Sequence, residues 1–316
     1  MRPAALIAVL CLAGCGGGDG APEVRHPIAP PPSSDRAEPD TRIAGTDRPA
    51  QSVADAATEL PLNGAPRPEF GPLPERAFER PIARYRVYSA RQAAAMETQV
   101  LALERSVRGG DRAAARRAWT AAYARYLRIG AAYGALGDLD AAIVGDRERL
   151  ERGLWTGERL SALRPAAARL RRDVRTLRRT VPRVEITPVD YAIRGHEILE
   201  DAQRDMLSDV AAPYSGAGVL ATAASLDATE AVIGTLRALL ASRGAIVPID
   251  SGLLGLRREL TAIRRAHGGD WPALDALSLT ERQRLNGRLG AGLEQLARLP
   301  GALETTLPPA IPPIRP

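Results

Sequence analysis

Thr187-Pro188-Val189-Asp190-Tyr191-Ala192-Ile193-Arg194-Gly195-His196-Glu197-Ile198-Leu199-Glu200-Asp201 decides how this chain is laid out. It opens with a cap residue, a proline at the first helical position and an acid at the third, which together start a helix. Its apolar residues then recur at three and four rather than two, so the spacing predicts a helix over about 188–209. The segment just before it, Val181–Ile186, contains Pro182 and breaks the pattern.

Working outward from that break, four helices are predicted on each side. Upstream they cover about 77–107, closed by Gly109-Gly110; 111–133, capped by Asp111; 139–155; and 159–180, with Pro165 near its start. Downstream come 188–209, a loop at Tyr214-Ser215-Gly216-Ala217-Gly218, then 217–243 closed by Gly244, 250–267, and 279–304 opened by the capping box Ser278-Leu279-Thr280-Glu281. The economical packing is all-α: two antiparallel four-helix bundles side by side, about 77–181 and 187–305, with a ligand site expected at their interface.

The ends read differently. Arg2, the apolar run Ala4 to Leu12 and the ending Leu12-Ala13-Gly14-Cys15 form a secretory signal over residues 1–15, too short to anchor as a span. Its last four residues resemble a bacterial lipobox, which makes Cys15 the expected lipidation site and places the mature chain outside the cytoplasm, in the periplasm or at the cell surface. Residues 16–76 are rich in Pro, Gly, Ala, Ser, Asp and Arg and cannot bury enough surface to offset chain entropy, so they read as a disordered tether spanning roughly 40–45 Å. Residues 306–316 are a Pro-rich tail. With Cys11 in the signal and Cys15 under lipid, neither a disulfide nor a cysteine metal centre is available.

The net charge is +6 and every basic residue is arginine. Nine arginines against one acid, Asp173, fall between Arg159 and Arg183. That run is either the solvated face of a helix or a contact for anionic lipid headgroups. Aromatic residues do not interleave with it, so nucleic acid is not an expected partner.

His196 is one of only three histidines, and Glu200 lies one turn further along the same helix face. An imidazole beside a carboxylate is half of a metal site, or a buried hydrogen-bonded pair. Glu148 and Glu151, three apart among arginines, are either further ligands or surface ion pairs. With Asp138 they make a candidate set of Asp138, Glu148, Glu151, His196 and Glu200, whose oxygen-rich chemistry suits iron, manganese or calcium better than copper.

Four segments in register carry a family resemblance: Gly130-Ala131-Ala132-Tyr133-Gly134-Ala135-Leu136-Gly137-Asp138, Glu151-Arg152-Gly153-Leu154-Trp155-Thr156-Gly157, Arg194-Gly195-His196-Glu197-Ile198-Leu199-Glu200, and Tyr214-Ser215-Gly216 with Leu220-Ala221-Thr222. Over about 77–300 the chain resembles the imelysin-like family, in the EfeO/EfeM type of periplasmic iron-uptake component and in its short form without a cupredoxin domain. The resemblance implies two four-helix bundles, ferrous or ferric iron as the metal, delivery to a membrane iron permease, and a haem-type peroxidase as a further partner. It also implies a metal motif Gly-x-His-x-x-Glu, but here the window reads Asp146-Arg147-Glu148-Arg149-Leu150-Glu151, and two further ligand positions fall at Leu127 and Val144. The site implied by the resemblance is therefore degenerate.

Three functions follow as expectations. The first is a lipid-anchored iron-binding or iron-delivery component with a weakened site. The second is a scaffold or docking lipoprotein that binds no metal. The third is a metallopeptidase-like hydrolase using His196 and Glu197, the weakest of the three because the chain lacks His-Glu-x-x-His, Gly-x-Ser-x-Gly and a free cysteine. The chain is accordingly read as a non-enzyme.

Overall fold

The helix boundaries have local causes. Asp111 accepts the Ala114 N–H at 2.8 Å after Gly110, whose φ is 84°. Thr187 accepts the Asp190 N–H at 3.1 Å ahead of Pro188, and Ser278 and Glu281 close a reciprocal capping box. Each cap satisfies an N–H that the helix itself leaves open, worth about 1 kcal/mol.

The computed structural model describes residues 71–305. They form helices α1 (Glu79–Gly109), α2 (Arg112–Leu127), α3 (Asp138–Trp155), α4 (Leu160–Thr180), α5 (Pro188–Asp201), α6 (Gly218–Ser242), α7 (Ile246–Ala266), α8 (Leu279–Leu296) and the single turn α9 (Leu299–Ala302). Among the described residues, β pairing is limited to an isolated bridge, Leu73 to Thr305, so the fold is all-α. The expected signal with Cys15, the tether up to residue 70 and the tail from 306 lie outside the described residues.

Several ends differ from those expected. α2 stops at Leu127, and a 3₁₀ turn, Gly130–Ala135, carries the chain to α3. α5 widens into a π-helical turn, Ala202–Met206. α7 starts at Ile246 because Pro248 falls in a first turn, where an N–H has no intrahelical partner to lose. α8 ends at Leu296, shortly before Pro300. At the start of the described residues Leu73 N–H donates to Glu304 C=O at 2.7 Å and Arg243 donates to Gly71 C=O at 2.7 Å, so residues 71–73 are bonded to the helical body.

α1 packs on α2 and α4, and α3 on α4 and α2. In the second group α6 packs on α5 and α7, and α8 on α7 and α5. α6 also packs on α1 and α2, joining the groups into one unit. Among the described residues α6 alone is long and apolar enough to cross a bilayer, yet 67% of its apolar window is buried in the protein, as in a core helix.

The arginine run of α4 is partly structural. Glu97 and Glu104 on α1 and Asp146 on α3 are buried. Arg178 meets Glu97 at 2.7 Å, Arg171 meets Glu104 at 3.2 Å and Arg169 meets Asp146 at 2.6 Å. Those pairs hold α4 to its neighbours, since a buried carboxylate without a counter-charge is strongly destabilising.

Candidate functional site

α3 carries most of the predicted acids, and α2 fixes where it ends. Arg112 donates to Gly153 and Leu154 C=O at 3.0 and 2.9 Å, and Arg116 to Leu154 C=O at 3.0 Å. Two guanidinium groups thus sit on the negative end of the α3 dipole. Trp119 Nε1–H donates to Arg147 C=O at 2.9 Å and sets the register of α3 on α2.

This register turns Arg147 inward. The residue is 6% exposed. Its guanidinium lies 4.4 Å from the Tyr123 ring centroid, donates from Nη1 to Ala211 C=O at 3.1 Å and from Nη2 to Glu148 Oε1 at 3.2 Å, and leaves Nε without a partner. Glu151 is 1% exposed. Its Oε1 accepts three bonds from the loop before α6: Tyr214 N–H at 3.1 Å, Ser215 N–H at 2.8 Å and Ser215 O–H at 2.7 Å. At the other end of α3, Asp140 accepts the Tyr126 O–H at 2.7 Å. Burial pushes the Asp140 carboxyl up, against the opposing pull of Tyr126, Arg147 and Arg194. Burial likewise pushes the Tyr123 phenol up to about 12, and burial with the nearby Asp140 charge pushes Tyr126 up further.

The predicted metal set does not come together. Among the described residues no group of three His, Cys, Asp or Glu side chains is placed to hold an ion. Asp138 is exposed at the start of α3, about 15 Å along the helix from Glu148 and about 20 Å from Glu151. The Glu148 side chain is 55% exposed and pairs with Arg147, whereas Glu151 is turned inward. The shallow pocket that both glutamates line is shared by Arg149 and Arg152, which cancel its charge. At the two positions where the resemblance implies ligands, Leu127 is buried and Val144 packs against the core.

His196 and Glu200 do meet, Nδ1 to Oε2 at 3.2 Å, on the partly exposed side of α5. A cleft of about 550 Å³ opens where the break between the helix groups faces the 3₁₀ turn after α2; α5 lines it with Asp190, Ile193, Arg194 and Glu197, and neither His196 nor Glu200 is among its lining residues. Glu185, Asp190 and Glu197 line it against one base, Arg194. Arg194 pairs with Glu197 at 2.9 Å and Asp190 accepts the Thr187 O–H at 2.8 Å, leaving a net negative mouth that raises the local concentration of cations. The two residues of the hydrolase expectation are engaged separately, His196 with Glu200 and Glu197 with Arg194.

Sequence reasoning missed Glu185 and Asp190 as cleft residues and did not single out Arg147. Asp190 comes from the first turn of α5, where it reads as a helix-start residue, and Glu185 from the inter-helix break, where periodicity carries no signal. Arg147 did leave one: Ile143, Arg147, Leu150 and Leu154 follow the apolar period, so an arginine stands at an inward position.

Fold and cleft define an all-helical protein with an acidic notch between two helix groups. No family model matches the chain. It is similar to the protein "Iron uptake system component EfeO" of Yersinia pseudotuberculosis, 24% identical over 244 residues that make up 72% of this chain and 65% of that one. The protein of the same description from Yersinia pestis is also 24% identical, over 72% of this chain and 64% of its own length. The chain thus spans slightly less than two thirds of the relatives it matches.

Proposed function

We propose that this protein is an extracytoplasmic, non-enzymatic component of an iron-uptake system, anchored by lipid at Cys15, which takes iron from solution or a partner and hands it to a permease. The observation that carries this reading is the similarity to two EfeO components along 72% of the chain. Iron is cargo here. The supporting geometry is the acidic cleft together with His196 and Glu200, the one pair from the predicted set that the fold brings into contact. Carboxylates with a single imidazole suit a hard or borderline ion held weakly. Asp138, Glu148 and Glu151 take no part, since their helix spacing or partners remove them.

The test is calorimetric titration of ferrous iron and of manganese into the full chain carrying Cys15→Ser. Heat that is lost in His196→Ala and in Glu185→Gln/Asp190→Asn but kept in Glu151→Ala is expected. Heat unchanged by the α5 and cleft substitutions sinks the cargo site.

A scaffold role is favoured by a different observation: Arg147 supplies its own positive charge to the acid-bearing face of α3. On that reading the chain binds no iron at all, yet still assembles with a permease or another envelope partner.

A further inference from the structure

Opposite in sign to the cleft stands the outer face of α1 and α4. Six arginines in α1 and nine over 159–183 meet only four acids on those segments: Glu79, Glu97, Glu104 and Asp173. Glu97 and Glu104 are buried and consumed by Arg171, Arg175 and Arg178. Arg172, Arg179 and Arg183 are exposed, and among the described residues no carboxylate pairs with them. Their spacings of seven and four put them along one stripe pointing away from the core.

The same face is apolar at its centre. A groove of about 550 Å³ runs beside Val87, Ala90, Ala94 and Pro182, with Arg86 and Arg91 in its walls. Val87, 53% exposed, stands in this groove beside the half-buried Ala90 and Ala94. Pro182 sits between Arg179 and Arg183 in sequence, so the groove and the free arginines adjoin.

We propose that this face docks on an anionic phospholipid bilayer. Guanidinium groups bind phosphate oxygens in pairs, and their aliphatic stems lie along apolar surface while the heads stay in the headgroup layer. Small apolar residues between arginines match the boundary between headgroups and acyl chains. α1 is 31 residues long, about 45 Å, so the charge is spread along an elongated face rather than gathered in a pocket. A laterally continuous anionic surface fits that spread better than one small anion does. Seated this way, the protein would turn its α1–α4 face to the lipid. The inference does not depend on the iron reading.

The test is flotation of the full chain carrying Cys15→Ser with vesicles of phosphatidylcholine alone and of phosphatidylcholine mixed with phosphatidylglycerol. Binding is expected only to the mixed vesicles and is expected to weaken with salt. Arg172→Gln/Arg179→Gln/Arg183→Gln should lower the partition coefficient about a hundredfold, from roughly a fivefold loss per arginine at a lipid surface. Arg258→Gln/Arg288→Gln/Arg298→Gln removes equal charge from the other helix group and should leave binding near wild type. All three groups replaced in the first variant are exposed and pair with no carboxylate, and the single bond among them is Arg183 Nη1–H to Arg179 C=O at 3.4 Å, so it should fold, which circular dichroism and a melting curve check. An equal loss in both triple variants, or no vesicle binding by the wild type, overturns the proposal. So does binding of inorganic phosphate or poly-aspartate that the first triple variant abolishes while vesicles fail to bind.

Discussion

Replacing Glu151 by alanine should loosen the loop before α6 before it affects anything else. One buried carboxylate oxygen takes three donors from residues that lie more than sixty positions away in sequence. Hydrogen bonds to a charged group contribute about 1.5–3 kcal/mol each, which bounds the loss at about 4.5–9 kcal/mol. The Tyr214 side of the loop is exposed, so its amides regain water when the carboxylate is gone. A net loss of about 3–5 kcal/mol is therefore expected, close to that for breaking a buried pair. For a body of this size that is a fall in Tm of roughly 10 °C. Glu151→Gln keeps an acceptor but loses the charge and should cost about 1–2 kcal/mol; Ser215→Ala removes one donor and should cost about 1 kcal/mol. Urea unfolding gives the order, and hydrogen exchange gives the place: the Tyr214 and Ser215 amides should lose protection ahead of the α3 core. A Glu151→Ala protein within about 1 kcal/mol of wild type, or with those amides unchanged, would refute the structural role. Rescue of wild-type stability by added iron would instead make Glu151 a ligand.

Three further outcomes can be checked together. A Cβ on Gly218 would stand 2.3 Å from the Met206 carbonyl oxygen, a backbone atom that cannot swing aside, so Gly218→Ala should cost about 2 kcal/mol or more by urea midpoint. The buried Tyr85 O–H donates to Ile129 C=O at 2.6 Å and accepts the Ala131 N–H at 2.9 Å; Tyr85→Phe strips the Ala131 N–H of this acceptor, while Ile129 C=O keeps the Ala132 N–H at 3.2 Å, and should lower stability by about 1–3 kcal/mol while freeing the turn after α2 in hydrogen exchange. Asp140 holds its proton more tightly in the folded than in the unfolded chain, so it contributes most at low pH, and that contribution is lost as pH rises from the ordinary aspartate range through its raised native value. Asp140→Asn keeps an acceptor for Tyr126 and should lack this step; parallel urea midpoints for variant and wild type from acid to neutral pH would contradict it.

The helices themselves were legible because their signals are local. Thr187 with Pro188, Asp111 after Gly110, and Ser278 with Glu281 each act within four residues, and the apolar period of three and four needs no partner to be read. The short links between helices then favour neighbours packed side by side, and that much of the all-α architecture follows from the sequence alone. Even the separation of Asp138 from Glu148 was implicit, since one straight helix cannot bring together residues about 15 Å apart along its axis. Tertiary structure decided the rest. Which of Glu148 and Glu151 turns inward depends on how Trp119 and the arginines of α2 seat α3. That Arg147 fills an inward position depends on Ala211 and Tyr123, and that Glu151 holds a loop depends on Ser215. These contacts join distant segments, and no spacing along the chain encodes them: a carboxylate or a guanidinium has the same letter whether it meets water, an ion or a loop amide, and only the packing of neighbouring helices sets its surroundings.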